Sequence, residues 1–408
     1  MLRPVASGGA DSAISRRSPA PPLVNDALAL DLPGLRPAEA VVRAVSAQTH
    51  RELVHRLEWV RPFSGRAVRS RVLIVSEPGR VPESQIHPLS FYGRELAGSG
   101  VEIREVSLKT FEAFPARAPH GADVVVLQAW VPPDAERYRA ALEALRDANP
   151  GAKVVLFDSF APTDLRLAAP LGDLVDLYVK KHVLRDRSEY GRPTRGDTNL
   201  TDYYGRLYGI DHPERTFEIP PGFLKKLVVG PSFFTGRTML PFFFASADPL
   251  KREKIIDVHA RICIDGTDWY ARMRRHAREM LVSMTDLRVA SEPGMPYRRY
   301  LAELCAAKIC FSPFGYGEVS WRDYEAVLCG ALLVKPDMSH CETWPDIFVP
   351  YETYVPIRWD FADLEEKTRY YLAHEAEREQ ITRRAYARLH EYSIRGEFLG
   401  QTRAVLEP

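Results

Sequence analysis

The sequence lacks any apolar run of the ~18 residues that a membrane-spanning helix requires. Its opening, Met1 to Pro22, is rich in Arg, Ser and Pro without the apolar centre of a secretory signal. A cytoplasmic protein with no transmembrane segment is expected. Net charge is almost absent as well: 55 Lys and Arg against 54 Asp and Glu leave +1 over 408 residues. That balance removes the basic field on which sequence-independent nucleic-acid binding relies, so no nucleic-acid partner is expected. Cysteine is scarce. Cys263, Cys305, Cys310, Cys329 and Cys341 all fall in the second half with no C-x-x-C and no pairing scheme, as expected of free buried thiols in a reducing compartment. Aromatic residues are missing from Met1 to Arg36, which carries Pro4, Pro19, Pro21, Pro22 and Pro33, so a disordered tail is expected over residues 1–36.

What is present suits a folded, multidomain protein. Hydrophobic residues make up 45% and charged residues 27%, and at ~150 residues per domain the length predicts two or three domains. Val42, Val45, Thr49, Leu53, Leu57 and Val60 recur at spacings of three and four, predicting an amphipathic helix. Apolar runs at Arg71 to Val75, Val101 to Val106, Asp123 to Leu127, Lys153 to Phe157 and Leu174 to Val179 alternate with helical patterns, including Asp134 to Ala148, stopped by Asn149-Pro150-Gly151. Strand and helix alternating in this way predict a parallel sheet covered on both faces.

A polar stretch, Arg185 to His212, and an aromatic run, Pro220 to Phe244, interrupt the rhythm, and the boundary between domains 37–225 and 226–392 is placed there. The alternation then resumes and ends in a charged helix from about Ala362 to Tyr392. Two α/β domains in tandem follow.

In open parallel sheets, ligands bind beyond the carboxyl ends of the strands. One such loop stands out, from strand Lys308 to Ser312 through Gly315-Tyr316-Gly317 into a helix that starts at Trp321 and is closed by Gly330. Ser320 and Asp323 form a capping-box pattern, leaving first-turn amides toward the loop, where the helix dipole favours an anion. Gly315 and Gly317 either admit a phosphate or make a tight turn, and Tyr316 could lie along a ring or sugar. Trp321, Arg322 and Glu325 share one side of the helix. Arg322 and Glu325 are either a surface ion pair or a phosphate cation and a ribose acceptor. Lys335, after the next strand, is a phosphate cation or an ordinary loop lysine.

With these residues in view, Tyr297 to Leu372 resembles the nucleotide-sugar-binding domain of GT-B glycosyltransferases, in the family-1-like bacterial branch. The carrying segments are Phe311-Ser-Pro-Phe-Gly-Tyr-Gly-Glu-Val-Ser-Trp-Arg-Asp-Tyr-Glu325, Gly330-Ala-Leu-Leu-Val-Lys-Pro-Asp337 and Glu342-Thr-Trp-Pro-Asp346. The resemblance implies two Rossmann-like domains facing a cleft, an acceptor domain first and a donor domain second, with a closing helix at 393–408 returning to the first. It implies a nucleotide diphosphate sugar as co-substrate, no other cofactor, and a glycan, lipid-linked sugar or small molecule as acceptor. Retaining members carry two glutamates separated by seven residues. Glu325 matches the second; the first falls at Gly317, with Glu318 one residue off, which leaves the anomeric outcome open. Donor-binding candidates are thus Gly315, Tyr316, Gly317, Ser320, Trp321, Glu325, Lys335 and Arg261, with Lys251 and Arg252 as further cations. Glu318 and Arg322 are candidate catalytic groups, joined by His87 or His182 as a general base from the first domain. No Asp-x-Asp occurs, so metal-independent transfer is expected. An epimerase or hydrolase on the same fold, and a non-catalytic binding scaffold, stay open as alternatives.

Overall fold

The computed structural model describes residues 62–114, 120–244, 248–292 and 294–408. The expected disordered tail and the helix at 42–60 lie outside the described residues. Fifteen strands are described: β1 (Ser70–Ser76), β2 (Val101–Ser107), β3 (Val124–Ala129), β4 (Lys153–Asp158), β5 (Leu177–Lys180), β6 (His182–Leu184), β7 (Thr194–Arg195), β8 (Glu214–Arg215), β9 (Leu227–Val229), β10 (Ile256–His259), β11 (Val289–Ala290), β12 (Ala307–Phe311), β13 (Leu332–Pro336), β14 (Cys341–Thr343) and β15 (Val355–Ile357). Apart from β6 and β14, and the short polar pair β7 and β8, which pair antiparallel, the strands have the apolar content of parallel strands.

Two parallel sheets result, ordered β2-β1-β3-β4-β5-β9 and β11-β10-β12-β13-β15. Each starts with the same reversal, its first strand lying between the second and third, so each has a switch point where adjacent loops diverge and leave a crevice. These lie between β1 and β3 and between β10 and β12. The first sheet takes in Leu227–Val229, so the boundary placed at 225 falls just before its last strand. The charged segment expected as one helix is two, Leu364–Ala373 and Glu375–Arg395, broken at His374.

Alternation along the strands divides the core. Val72, Ile74, Val124, Val126, Val155 and Phe157 face a core continuous with that of the second domain. Leu73, Val75, Val125, Leu127 and Leu156 face the other way, onto Tyr138, Leu142 and Leu145 of the Ala135–Ala148 helix. The chain end returns to the first domain. Ser70 Oγ donates to the Leu406 carbonyl at 2.6 Å, Lys153 Nζ to the Ala404 carbonyl at 2.6 Å, and Phe398 stacks on Tyr92 with ring centres 5.4 Å apart. No helix among the described residues is long and apolar enough to cross a membrane.

Candidate active site

Loops beyond the carboxyl ends of both sheets meet at one seam. At its centre is the segment joining β12 to the Trp321–Leu328 helix. The helix start follows from its sequence: the Ser320 amide donates to Asp323 Oδ2 at 2.8 Å, and Ser312 Oγ donates to Asp323 Oδ1 at 2.6 Å. Lys335 Nζ lies 3.2 Å from that same Oδ1, with both side chains fully buried. Burial pushes the Lys335 ammonium below its ordinary value, against the opposing pull of Asp323. In this arrangement Lys335 neutralises the capping aspartate rather than facing the crevice as a free phosphate cation.

The glycines serve the domain seam. Neither Gly315 nor Gly317 adopts a positive φ. A Cβ on Gly317 would stand 1.9 Å from the carbonyl oxygen of Ala161, in the loop after β4, so glycine is needed here for backbone contact between the domains. Tyr316 lies flat on Tyr270, with ring centres 4.3 Å apart, and its hydroxyl accepts the Thr267 amide at 3.1 Å. Behind the loop, Arg274 donates to the carbonyls of Phe314 (3.2 Å) and Cys263 (3.0 Å), and burial lowers its guanidinium to about 10. Sequence reasoning missed Arg274, which sits on a helix among other arginines with nothing to distinguish it.

Two of the expected catalytic residues come together across the seam. His182 Nε2 lies 3.0 Å from Glu318 Oε2, and Thr163 Oγ1 donates to Glu318 Oε1 at 3.2 Å. Burial alone would raise the Glu318 carboxyl, but the hydrogen bond from His182 and the His340 imidazole 3.7 Å away hold it well below the usual range. Burial also depresses His182, so the pair is a carboxylate accepting from a neutral imidazole. A short antiparallel ladder, β6 on β14, pairs His182 with Thr343 beside it. His87 is not part of this group. It lies buried in the Arg80–Phe91 helix with its ring against Phe91.

A second group lies at the β10–β12 switch point. Glu325 is nearly buried and accepts from Tyr297 at 3.0 Å and Tyr300 at 2.8 Å, both on the Tyr297–Cys305 helix. The ion-pair partner of Glu325 is Arg80 of the first domain, 3.7 Å away, instead of Arg322. Arg80 also lies over Trp321 at 4.2 Å, while Trp321 stacks on Phe233 at 4.7 Å. Arg322 donates to the Arg261 carbonyl, and its Nε is buried without a hydrogen-bond partner. Arg261 is bidentate to Glu303, at 2.6 and 2.7 Å, so its charge is already matched. Beside it, burial lowers His259 to about 4. Tyr297, Tyr300 and Arg80 were not singled out from the sequence, although two tyrosines three residues apart on one predicted helix was the available signal.

The sheet orders and the loops meeting at this seam define a GT-B arrangement. Residues 243–397 match the family described as "Glycosyl transferase-like". The protein is a glycosyltransferase. No curated protein sequence matches the chain. Among solved structures, sucrose-phosphate synthase from Thermosynechococcus elongatus is 13% identical with a TM-score of 0.44, covering 82% of this chain and 98% of that one. A glycosyltransferase from Rickettsia africae is 8% identical with a TM-score of 0.44 and the same two coverages, 82% and 98%. S. aureus MnaA, in a co-structure with UDP, is 10% identical with a TM-score of 0.40, covering 81% of this chain and 97% of that one. The fold assignment rests on the sheet orders and the family match.

Proposed function

We propose that this chain transfers a sugar from a nucleotide diphosphate sugar, without a metal in the reaction, to a glycan, lipid-linked sugar or small-molecule acceptor held by the first domain. The observation that carries this reading is the group at the second switch point: a nearly buried Glu325 fixed by two tyrosine hydroxyls, with Arg322 carrying an unmatched buried N–H beside it. Glu325 accepts from the donor ribose, and Arg322 stabilises the leaving diphosphate with the first-turn amides of the Trp321–Leu328 helix. Donor entry moves Arg80 off Trp321, opening the seam to the sugar. Glu318 and His182 face each other where sugar and acceptor meet; Glu318 steadies positive charge at the anomeric carbon, and His182 orients it.

The experiment incubates purified protein with UDP-, GDP-, ADP- and dTDP-sugars without metal and follows release of the nucleoside diphosphate by mass spectrometry. One donor turning over, and none in Glu325→Ala, is the expected result. Equal turnover by the variant would place the donor elsewhere.

A further inference from the structure

We propose that Glu318, His340 and Cys341 form a binding site for a thiophilic divalent cation, with Zn2+ the fitting ion. One carboxylate oxygen, one imidazole nitrogen and one thiol sulfur lie within 4.8 Å of one another. Zn2+ binds such atoms at roughly 2.0–2.3 Å in tetrahedral geometry, which sets its ligands about 3.3–3.8 Å apart. His340 Nε2 and Glu318 Oε1 are already 3.7 Å apart. Sulfur, nitrogen and carboxylate oxygen together suit zinc better than the hard ions Mg2+ and Ca2+, which prefer oxygen alone.

A second observation points to a ligand. His340 Nε2 is buried and has no hydrogen-bond partner. A buried polar atom left unmatched is costly, and coordination is the interaction this nitrogen lacks. The surroundings hold the ligands in place. The His340 ring stands edge-on to Trp359 at 5.0 Å, the His340 carbonyl accepts the Arg185 amide at 2.8 Å, and the Cys341 amide donates to Met338 at 2.9 Å. The second oxygen of Glu318 accepts from His182, the outer-shell contact that orients a ligating carboxylate. His340 is a quarter exposed, so water can reach the fourth position. On binding, the Zn–S bond forms as the Cys341 thiol proton passes to solvent.

All three ligands belong to the second domain, while His182 joins them from the first. The ion therefore fastens Glu318 at the seam, and its binding is measured independently of any donor.

The test strips the full chain of metal and titrates it with Zn2+ against a chromophoric chelator, and separately with Co2+ by absorbance. Wild type is expected to bind one equivalent of each, with a near-ultraviolet thiolate-to-cobalt band. Cys341→Ser removes that band, and Cys341→Ser and His340→Gln each weaken Zn2+ binding at least ~10-fold. Cys263→Ser, at the exposed thiol, changes neither. Less than one equivalent in wild type, a cobalt adduct without the thiolate band, or a band removed by Cys263→Ser would overturn the site. The wild-type stoichiometry and band decide the matter even where a variant fails to fold.

Discussion

His182 and Glu318 meet 3.0 Å apart, both fully buried, from opposite domains and 136 residues apart in the chain. A buried carboxylate without its partner is far costlier than either residue exposed, so this contact couples domain closure to the state of one imidazole. Removing the charge from Glu318 while keeping its shape, as in Glu318→Gln, should loosen the seam and lower turnover by ~10-fold or more. Small-angle scattering and turnover on the same preparation check this; a variant that stays compact and fully active would contradict it.

Gly317 should tolerate no side chain. Gly317→Ala places a methyl 1.9 Å from the Ala161 carbonyl, so the domains must separate or the loop must shift. Overpacking of this kind costs about 1–3 kcal/mol. Chemical denaturation should register that loss, whereas Gly315→Ala, whose Cβ would meet only the Gly317 backbone at ordinary contact distance (3.5 Å), should behave close to wild type.

Acid should destabilise the fold in stages. His259, at about 4, and His182 are both held below their ordinary value, chiefly by burial. Unfolded, each takes a proton near pH ~6.5, so below that pH the unfolded chain binds more protons and stability falls by about 1.4 kcal/mol per pH unit for each histidine. The His259 contribution levels off near 4, where the folded state also protonates. Glu318, depressed in the fold, adds stability above its unfolded value near ~4.3 that is lost as pH falls toward its folded value. Urea unfolding from pH 4.5 to 7.5 checks this, and His259→Asn should flatten the slope.

The Arg80 contact is a clasp between domains. Its guanidinium covers Trp321 at 4.2 Å but is itself half exposed, so Arg80→Ala should cost about 0.5–1 kcal/mol of stability. Its larger effect should be on donor binding, because Arg80 stands over the crevice. Thermal unfolding with and without nucleoside diphosphate separates the two effects.

Much of the fold was legible because hydrophobic periodicity is local. The β1 and Ala135–Ala148 patterns, the Ser320–Asp323 cap and the glycine stop at Gly330, whose φ is 67°, all follow from residues within a few positions of one another. The site was legible only in part. Glu318 and His182 were each visible as chemistry, but their pairing depends on how two sheets dock. Lys335 reads as an exposed cation until Asp323 is seen beside it, and Arg261 until Glu303 is. Spacing along one chain carries no record of these long-range neutralisations. Arg80 and the tyrosines over Glu325 were unmarked for the same reason.

The donor site at the β10–β12 crevice is tested most directly by calorimetric titration of the nucleoside diphosphate chosen by the donor panel into wild type, Glu325→Ala and Arg322→Ala, without metal. Wild type is expected to bind saturably and both variants at least ~10-fold more weakly, a loss of about 1.4 kcal/mol or more each. Unchanged affinity in both would contradict a donor site at the β10–β12 crevice.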